Sequence, residues 1–323
     1  MRAAIIDAPG AVPRPGSIER GARAPGTTRI AVLAAPLNPL DLLIASGNFH
    51  SARHEQPYVP GAECVGTVVE SDTHAVGSLV YAECHPSPTT PGAFAEEVVA
   101  ADTDVLPVPD GVDPVRAAAI GNSGIAAYLP LVNIARLRAG ETVLVLGATG
   151  AVGQLAVQIA RRIGAGRVIG VARHGDALQR VLGLGADGIV QLTPGESAAD
   201  LGTRLREAAG DVDVVFDGVF GLPLEAALQA CAQRARVVNV GNLAGPTAEI
   251  PAGLLRGKQL TISGFAGVHT PLSEKRNALT WLWTSLSHGE VTIDVRTVPL
   301  EAAADAWAAQ AASPHAKYVV VPD

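Results

Sequence analysis

The chain has 323 residues, with 24 Lys and Arg against 31 Asp and Glu, giving a formal charge of −7. Hydrophobic residues make up 48% and charged residues 17%, a globular balance with length enough for one large domain or two ordinary ones. An acidic chain without a basic block is a poor match for nucleic acid or an anionic membrane, and its charge reads most simply as a device for solubility.

The segment Met1 to Asp7 meets an acid and then Pro9, so no signal peptide is expected. Up to about residue 116 the chain alternates short β-like runs, Ile30 to Leu33, Cys64 to Val69, Leu79 to Tyr81 and Phe94 to Val99, with proline-rich turns. One helix is predicted from Asp41 to Ser46, after Asn38-Pro39 and before Gly47, with Asp41 its N-terminal acid rather than a general base. Cys64, Cys84 and Cys231 are too scattered for a disulfide framework and read as small buried hydrophobes. Two uncharged runs, Ala117 to Ala135 and Thr142 to Ala160, are long enough to test as membrane spans, but glycines and polar residues interrupt both. A soluble, cytoplasmic protein is the expectation.

From Glu141 the rhythm becomes strand, helix, strand. Thr142 to Leu146 is a continuous apolar run, as a buried parallel strand requires. Over residues 151 to 163, Val152, Leu155, Ala156, Ile159 and Ile163 form one helical stripe that Gly164 can close. Strands follow at Arg167 to Val171, Ile189 to Leu192, Val212 to Phe216, Arg236 to Val240 and Leu260 to Ser263, with helices between the first five strands of the series. Six such strands predict an α/β fold with a doubly wound parallel sheet. The tail carries a helix at 273–287, a strand near Ile293 to Val298, a helix at 301–311 and a final strand, Lys317 to Val321, that should return to the first domain.

The strongest chemical signal is Gly147-Ala148-Thr149-Gly150-Ala151-Val152-Gly153, set between a buried strand and an amphipathic helix. Glycines there let the backbone turn tightly and approach a pyrophosphate, whose charge the helix N-terminus meets. No Lys-Ser/Thr follows, so this is not a nucleotide-triphosphate loop. At the end of the second strand an acid would hold a ribose 2′-hydroxyl, but the chain reads Arg173-His174. Arg173 suits a 2′-phosphate and hence NADPH over NADH, or is a solvated surface arginine. Asp176 reads as the cap of the next helix rather than a ribose ligand. Asp217-Gly218 and Asn239-Val240-Gly241-Asn242 end the fourth and fifth strands, where Gly218, Val240, Gly241 and Asn242 would flank a dinucleotide. Phe265 borders the nicotinamide or packs in the core.

The chain resembles the zinc-independent quinone oxidoreductase branch of the medium-chain dehydrogenase/reductase superfamily over essentially its whole length. The residues that carry the resemblance are Asn38-Pro39-Leu40-Asp41, Pro60-Gly61-Ala62-Glu63-Cys64-Val65-Gly66, Gly140 to Gly147, Gln158 and Leu184-Gly185-Ala186-Asp187. The resemblance implies a Rossmann domain at 117–264, a GroES-like β-rich catalytic domain built from 1–116 and 265–323, a cleft between them, and commonly a homodimer. Zinc-dependent relatives carry Cys where this chain has Asn38 and His where it has Ala62, and a structural zinc lobe needs four close cysteines where 84–116 supplies only Cys84. A fortuitous set from Cys64, Cys84, His50, His54 and His85 matches no standard spacing, so no metal is expected.

The resemblance also places Asn38 near the nicotinamide, as a candidate catalytic residue or as a loop cap before Pro39. Many members carry a Thr that is lost in Gly124-Ile125-Ala126-Ala127-Tyr128; Asn122 and Ser123, just upstream, are candidates to replace it, with Asn122 as a cofactor-binding residue. Further departures are Phe49 for a usual Tyr, Ala177 for a Lys seen in some NADPH enzymes, and Thr149 and Ala151 within the glycine motif. Trp281 and Trp283 read as packing or interface residues. Without a Lewis acid, a substrate already primed for hydride fits best, which points to a quinone or an α,β-unsaturated carbonyl. The alternatives are a tailoring reductase for one biosynthetic intermediate, its specificity set by residues 48–58 and 265–272, or a nicotinamide-binding redox sensor without turnover.

Overall fold

A computed structural model describes residues 1–47, 57–313 and 315–322. The chain divides into two compact units, Met1–Asn122 with Pro271–Asp323, and Ser123–Thr270. The joints therefore fall at 122/123 and 270/271, against the 116/117 and 264/265 expected.

The first unit opens with a hairpin of β1 (Arg2–Ile5) and β2 (Arg14–Ser17). Then come β3 (Thr27–Pro36), α1 (Pro39–Ala45), β4 (Glu63–Glu70), β5 (Leu79–Glu83), β6 (Glu97–Ala101) and β7 (Val105–Pro107). β6 starts three residues later than the apolar run from Phe94 suggests. Phe94 is wholly buried, and its backbone bonds to Ala4 and Pro60, two separate segments, instead of a ladder neighbour. Helix α2 (Pro114–Leu129) runs through the 122/123 joint into the second unit and continues there into a π turn over Pro130–Ile134. Rich in Ala and Gly and without a polar stripe, α2 gives the sequence no period to read. By length and composition Pro114–Ile134 is long and apolar enough to cross a membrane, yet 67% of its most apolar stretch is buried inside the protein.

The second unit holds β8 (Thr142–Leu146), α3 (Ala151–Ile163), β9 (Arg167–Ala172), α4 (Gly175–Gly183), β10 (Gly188–Gln191), α5 (Ala198–Ala209) and β11 (Val212–Asp217). It continues with α6 (Leu222–Ala230), β12 (Cys231–Asn239), α7 (Ala252–Lys258) and β13 (Thr261–Gly264). All six strands are parallel, in the order β10-β9-β8-β11-β12-β13. This is the expected doubly wound sheet. Its central strands β8, β9 and β11 are almost wholly buried, which is why they are apolar runs rich in Val, Ile and Leu, while β10 and β13 at the edges are largely half-buried or exposed. Gly164 closes α3 in the left-handed conformation at φ +103°, as its place after the stripe predicts.

The closing segment returns to the first unit as α8 (Leu272–Ser287), β14 (Val295–Pro299), α9 (Ala303–Ala311) and β15 (Lys317–Val321). β15 pairs antiparallel with β3 and parallel with β14, completing a sheet of order β14-β15-β3-β4-β5-β7 with β6 also on β3. The last strand thus rejoins the first domain, as expected. Trp283 is a core residue: its Nε1 donates to Ala117 O at 3.2 Å, and its ring meets Tyr81 edge-on at 6.0 Å. Cys64, Cys84 and Cys231 are buried free thiols.

Candidate functional site

Strands β8 and β11 are neighbours, but the chain leaves β8 toward β9 and β10 and leaves β11 toward β12 and β13. In such a sheet the crevice at the carboxyl ends of those two strands is where ligands settle. Gly147 closes β8 at φ +84°, and the main-chain N–H groups of Gly147 and Ala148 both donate to Val171 O, at 2.9 and 3.1 Å. A Cβ at Gly153 would collide with Gly147 O, so glycine lets α3 begin directly beneath the strand. Gly150, exposed at the N-cap of α3, has only Gly147 O within reach of an added Cβ, at 3.7 Å, and no side chain caps the helix. The first-turn N–H groups of a 13-residue helix stand beside an open glycine face, a setting that suits a phosphate anion. Thr149 and Ala148 are buried, while Ala151 and Val152 are half-buried on the helix's first turn.

Arg173 follows β9 and is exposed; Gln191 Nε2 donates to its main-chain oxygen at 3.0 Å. The N-cap of α4 is His174 and not the expected Asp176, which lies two residues further on in the first turn, where the helix dipole favours an acid. Ala177 is buried.

At the ends of β11 and β12 two turns meet. Asp217, wholly buried, accepts from Val219 N at 3.1 Å and Phe220 N at 2.8 Å on one oxygen and from Asn239 Nδ2 at 2.7 Å on the other. Burial pushes its pKa above the ordinary value against the pull of those donors. Gly218, Val240 and Gly241 are half-buried around this knot and Asn242 is exposed, and Phe265, also half-buried rather than core, donates its N–H to Asn239 O at 2.9 Å. Asp217 and Asn239 were legible only as strand ends; nothing in their spacing announces that one side chain grips the other.

The first unit contains a separate buried polar network. Asn38 caps α1 and is 1% exposed. Its Nδ2 donates to Glu63 Oε1 at 2.9 Å and to Pro36 O at 3.3 Å, and its Oδ1 accepts from Lys317 Nζ at 2.6 Å. An ammonium can only donate, so Lys317 fixes which way the Asn38 amide points. Glu63 Oε2 accepts from Tyr81 OH at 2.8 Å and Asn122 N at 2.7 Å, and Asn122 Nδ2 lies 3.5 Å from Asn38 Oδ1. Asp41 takes the main-chain N–H groups of Asn38 at 2.8 Å and Ala62 at 3.1 Å, the helix-acid role read from the sequence.

Burial is the largest influence on all three charges here. It raises Asp41 to about 6 against the backbone bonds, raises Glu63 against the attraction of Lys317, and lowers Lys317 against both carboxylates. Lys317 lay outside the sequence reading, because the final strand gives no sign of a partner 279 residues away.

Among the described residues no group of three or more His, Cys, Asp and Glu is gathered as for a metal ion. His85 is exposed beside Asp104 at 3.2 Å, and Cys64 and Cys84 are buried. Phe49, His50, His54 and most of the proposed specificity segment 48–58 lie outside the described residues. Of the sequence-derived site residues, Asn38 and Asn122 belong to the first unit. Gly147 to Gly153, Arg173, His174, Gly218, Val240, Gly241, Asn242 and Phe265 belong to the second.

Two family models match the chain: an alcohol dehydrogenase GroES-like domain over residues 24–110 and a zinc-binding dehydrogenase domain over 151–284. The chain is 31% identical over 240 residues to quinone oxidoreductase-like protein 2 of Bos taurus, covering 74% of this chain and 68% of that protein. It is 30% identical over 215 residues to quinone oxidoreductase of Homo sapiens, covering 66% of this chain; the match spans slightly less than two thirds, 64%, of that relative's length. Among solved structures, a mycobacterial protein complexed with NADPH superposes with a TM-score of 0.87 at 25% identity, covering 100% of both chains.

Proposed function

Because the chain belongs to the quinone oxidoreductases of the medium-chain dehydrogenase/reductase superfamily, we propose that it reduces a quinone or an α,β-unsaturated carbonyl with NADPH and without a metal. The observation that carries this reading is the open glycine turn at the point where the sheet reverses, with Arg173 at the end of the adjoining strand. The NADPH complex of the mycobacterial structural relative supports the same choice of cofactor.

The residues fit a dinucleotide. Gly150 and the first turn of α3 leave a bare, electropositive face for the pyrophosphate. Arg173 supplies a rigid fork of donors for a 2′-phosphate, and Gly175 behind it presents no side chain. When bound, the reduced nicotinamide supplies a hydride. The chain's own part is to hold, orient and exclude water.

Asn38 has both amide protons committed, to Glu63 and Pro36, so it contributes an acceptor oxygen that orders Asn122. In this reading Asn38 positions and Asn122 presents an amide toward the reacting carbonyl oxygen, where donors stabilise developing charge. Metal independence is supported by the donor set. Asn38 and Ala62 are poor ligands, and both oxygens of Glu63 already accept from Asn38, Tyr81 and Asn122, with Lys317 balancing the charge. Family membership also supports a cytoplasmic homodimer, which light scattering checks directly.

The test is oxidation of NADPH and NADH by chelator-treated protein, with a quinone and an enone as acceptors. Turnover that prefers NADPH and survives chelation is expected. Turnover lost to chelation and restored by zinc, or a preference for NADH, would sink the reading.

A further inference from the structure

Three backbone turns crowd together at the carboxyl ends of β8, β11 and β12. A Cβ at Gly147 would lie 2.9 Å from Val219 Cγ1, one at Gly218 3.0 Å from Leu146 O, and one at Gly241 2.6 Å from Gly218 O. At these three glycines the turns leave no room for a further side chain, and the Val219 side chain packs against Gly147. What sets its shape is Asp217. One carboxylate oxygen takes the N–H groups of Val219 and Phe220, and the other takes the Asn239 amide, whose Nδ2 also reaches Gly241 O at 2.7 Å. Phe220 stands at φ +58°, a left-handed conformation that a bulky side chain rarely adopts, and its N–H is one of those Asp217 holds. A strained residue held in place by a wholly buried acid, beside the ligand crevice, marks a turn kept in one shape for a purpose.

We propose that Asp217 is a positioning residue for the nicotinamide half of the dinucleotide, locking the turns after β11 and β12 against the glycine turn after β8. The assignment rests on the NADPH reading above. A dinucleotide across the reversal point places one nucleotide on each side of it. Arg173, at the end of β9, claims the 2′-phosphate side, which leaves the β11 and β12 turns to the other nucleotide. The chemistry calls for a carboxylate. Its three partners are all donors, and an amide at 217 would set its own NH2 against one of them.

The experiment titrates full-length wild type, Asp217→Asn and Asn239→Ala with NADPH and with adenosine 2′,5′-bisphosphate, which lacks the nicotinamide half. Asp217→Asn should weaken NADPH about tenfold, equivalent to ~1.4 kcal/mol, and leave the bisphosphate affinity where it was. Asn239→Ala keeps the Val219 and Phe220 bonds and should show the same selective loss at smaller size, so it decides the matter if Asp217→Asn does not fold. A purely structural role would weaken both ligands together. That outcome, or unchanged NADPH binding, overturns the proposal while the NADPH reading stands. Wild type that binds neither ligand overturns both.

Discussion

In the proposed reading a single side chain, Arg173, carries the cofactor choice, and buried carboxylates carry a pH response. Replacing Arg173 with Ala should weaken NADPH by roughly 10- to 100-fold, the worth of charge-assisted bonds of ~1.5–3 kcal/mol, and leave NADH almost unchanged. Parallel titrations with the two nucleotides check it. Asp41 sits in a different balance. Its pKa rises on folding from an ordinary 3.8 to about 6, so the folded state binds the proton more tightly than the unfolded chain. Stability from this group is therefore fullest below pH 4 and falls as pH rises from about 4 to 6, by up to ~3 kcal/mol; Glu63, raised by the same burial, pulls the same way. Urea denaturation of wild type and Asp41→Asn at pH 5 and pH 8 should show a shallower pH dependence in the variant. The sequence identified Asp41 as a helix acid, since Asn38-Pro39 fixes the helix start. It could not disclose that the acid is sealed from water, because burial comes from strands elsewhere in the chain.

At the scale of elements, the two glycines of the α3 entry should behave oppositely. Gly153→Ala drives a methyl into Gly147 O and should cost about 1–3 kcal/mol of stability together with NADPH binding. Gly150→Ala meets nothing closer than 3.7 Å and has an ordinary φ of −74°, so the fold should stand while the methyl obstructs the phosphate approach. Thermal melts with NADPH titration separate the two. Both outcomes follow from a motif legible in sequence, because strand, glycine turn and amphipathic stripe are each written locally. The same legibility holds for β9 to β13, whose apolar runs lie within a residue or two of their observed ends, except that β12 begins at Cys231. There Arg234 takes a left-handed φ of +62° and the pairing with β11 skips from Cys231 to Arg236, an irregularity no propensity reveals. Helix α2 failed for another reason: being buried nearly all round, it lacks the polar face that makes a helix visible.

Over the whole molecule, the first unit is closed by residues from both ends of the chain. Lys317, on the last strand, places its ammonium on Asn38 and faces Glu63 and Asp41, all buried. Lys317→Met should cost about 3–5 kcal/mol, because it strands a buried carboxylate without its cation, and adding Glu63→Gln should recover part of that loss. Urea denaturation of the single and double variants reads the coupling. This network is the part least visible in sequence. The return of the last strand was inferable from its position after the sheet domain, but not its pairing with β3, nor that this pairing delivers a lysine to Asn38.

The central claim is direct hydride transfer from NADPH, and deuterium tests it most directly. The chelated protein is given NADPH deuterated at nicotinamide C4, on the transferred face, with an enone, and the product is examined by mass spectrometry and NMR. The account predicts one deuterium at the β-carbon, a proton from solvent at the α-carbon, and a slower rate than with unlabelled NADPH. A reduced product whose β-carbon carries only solvent hydrogen would contradict it.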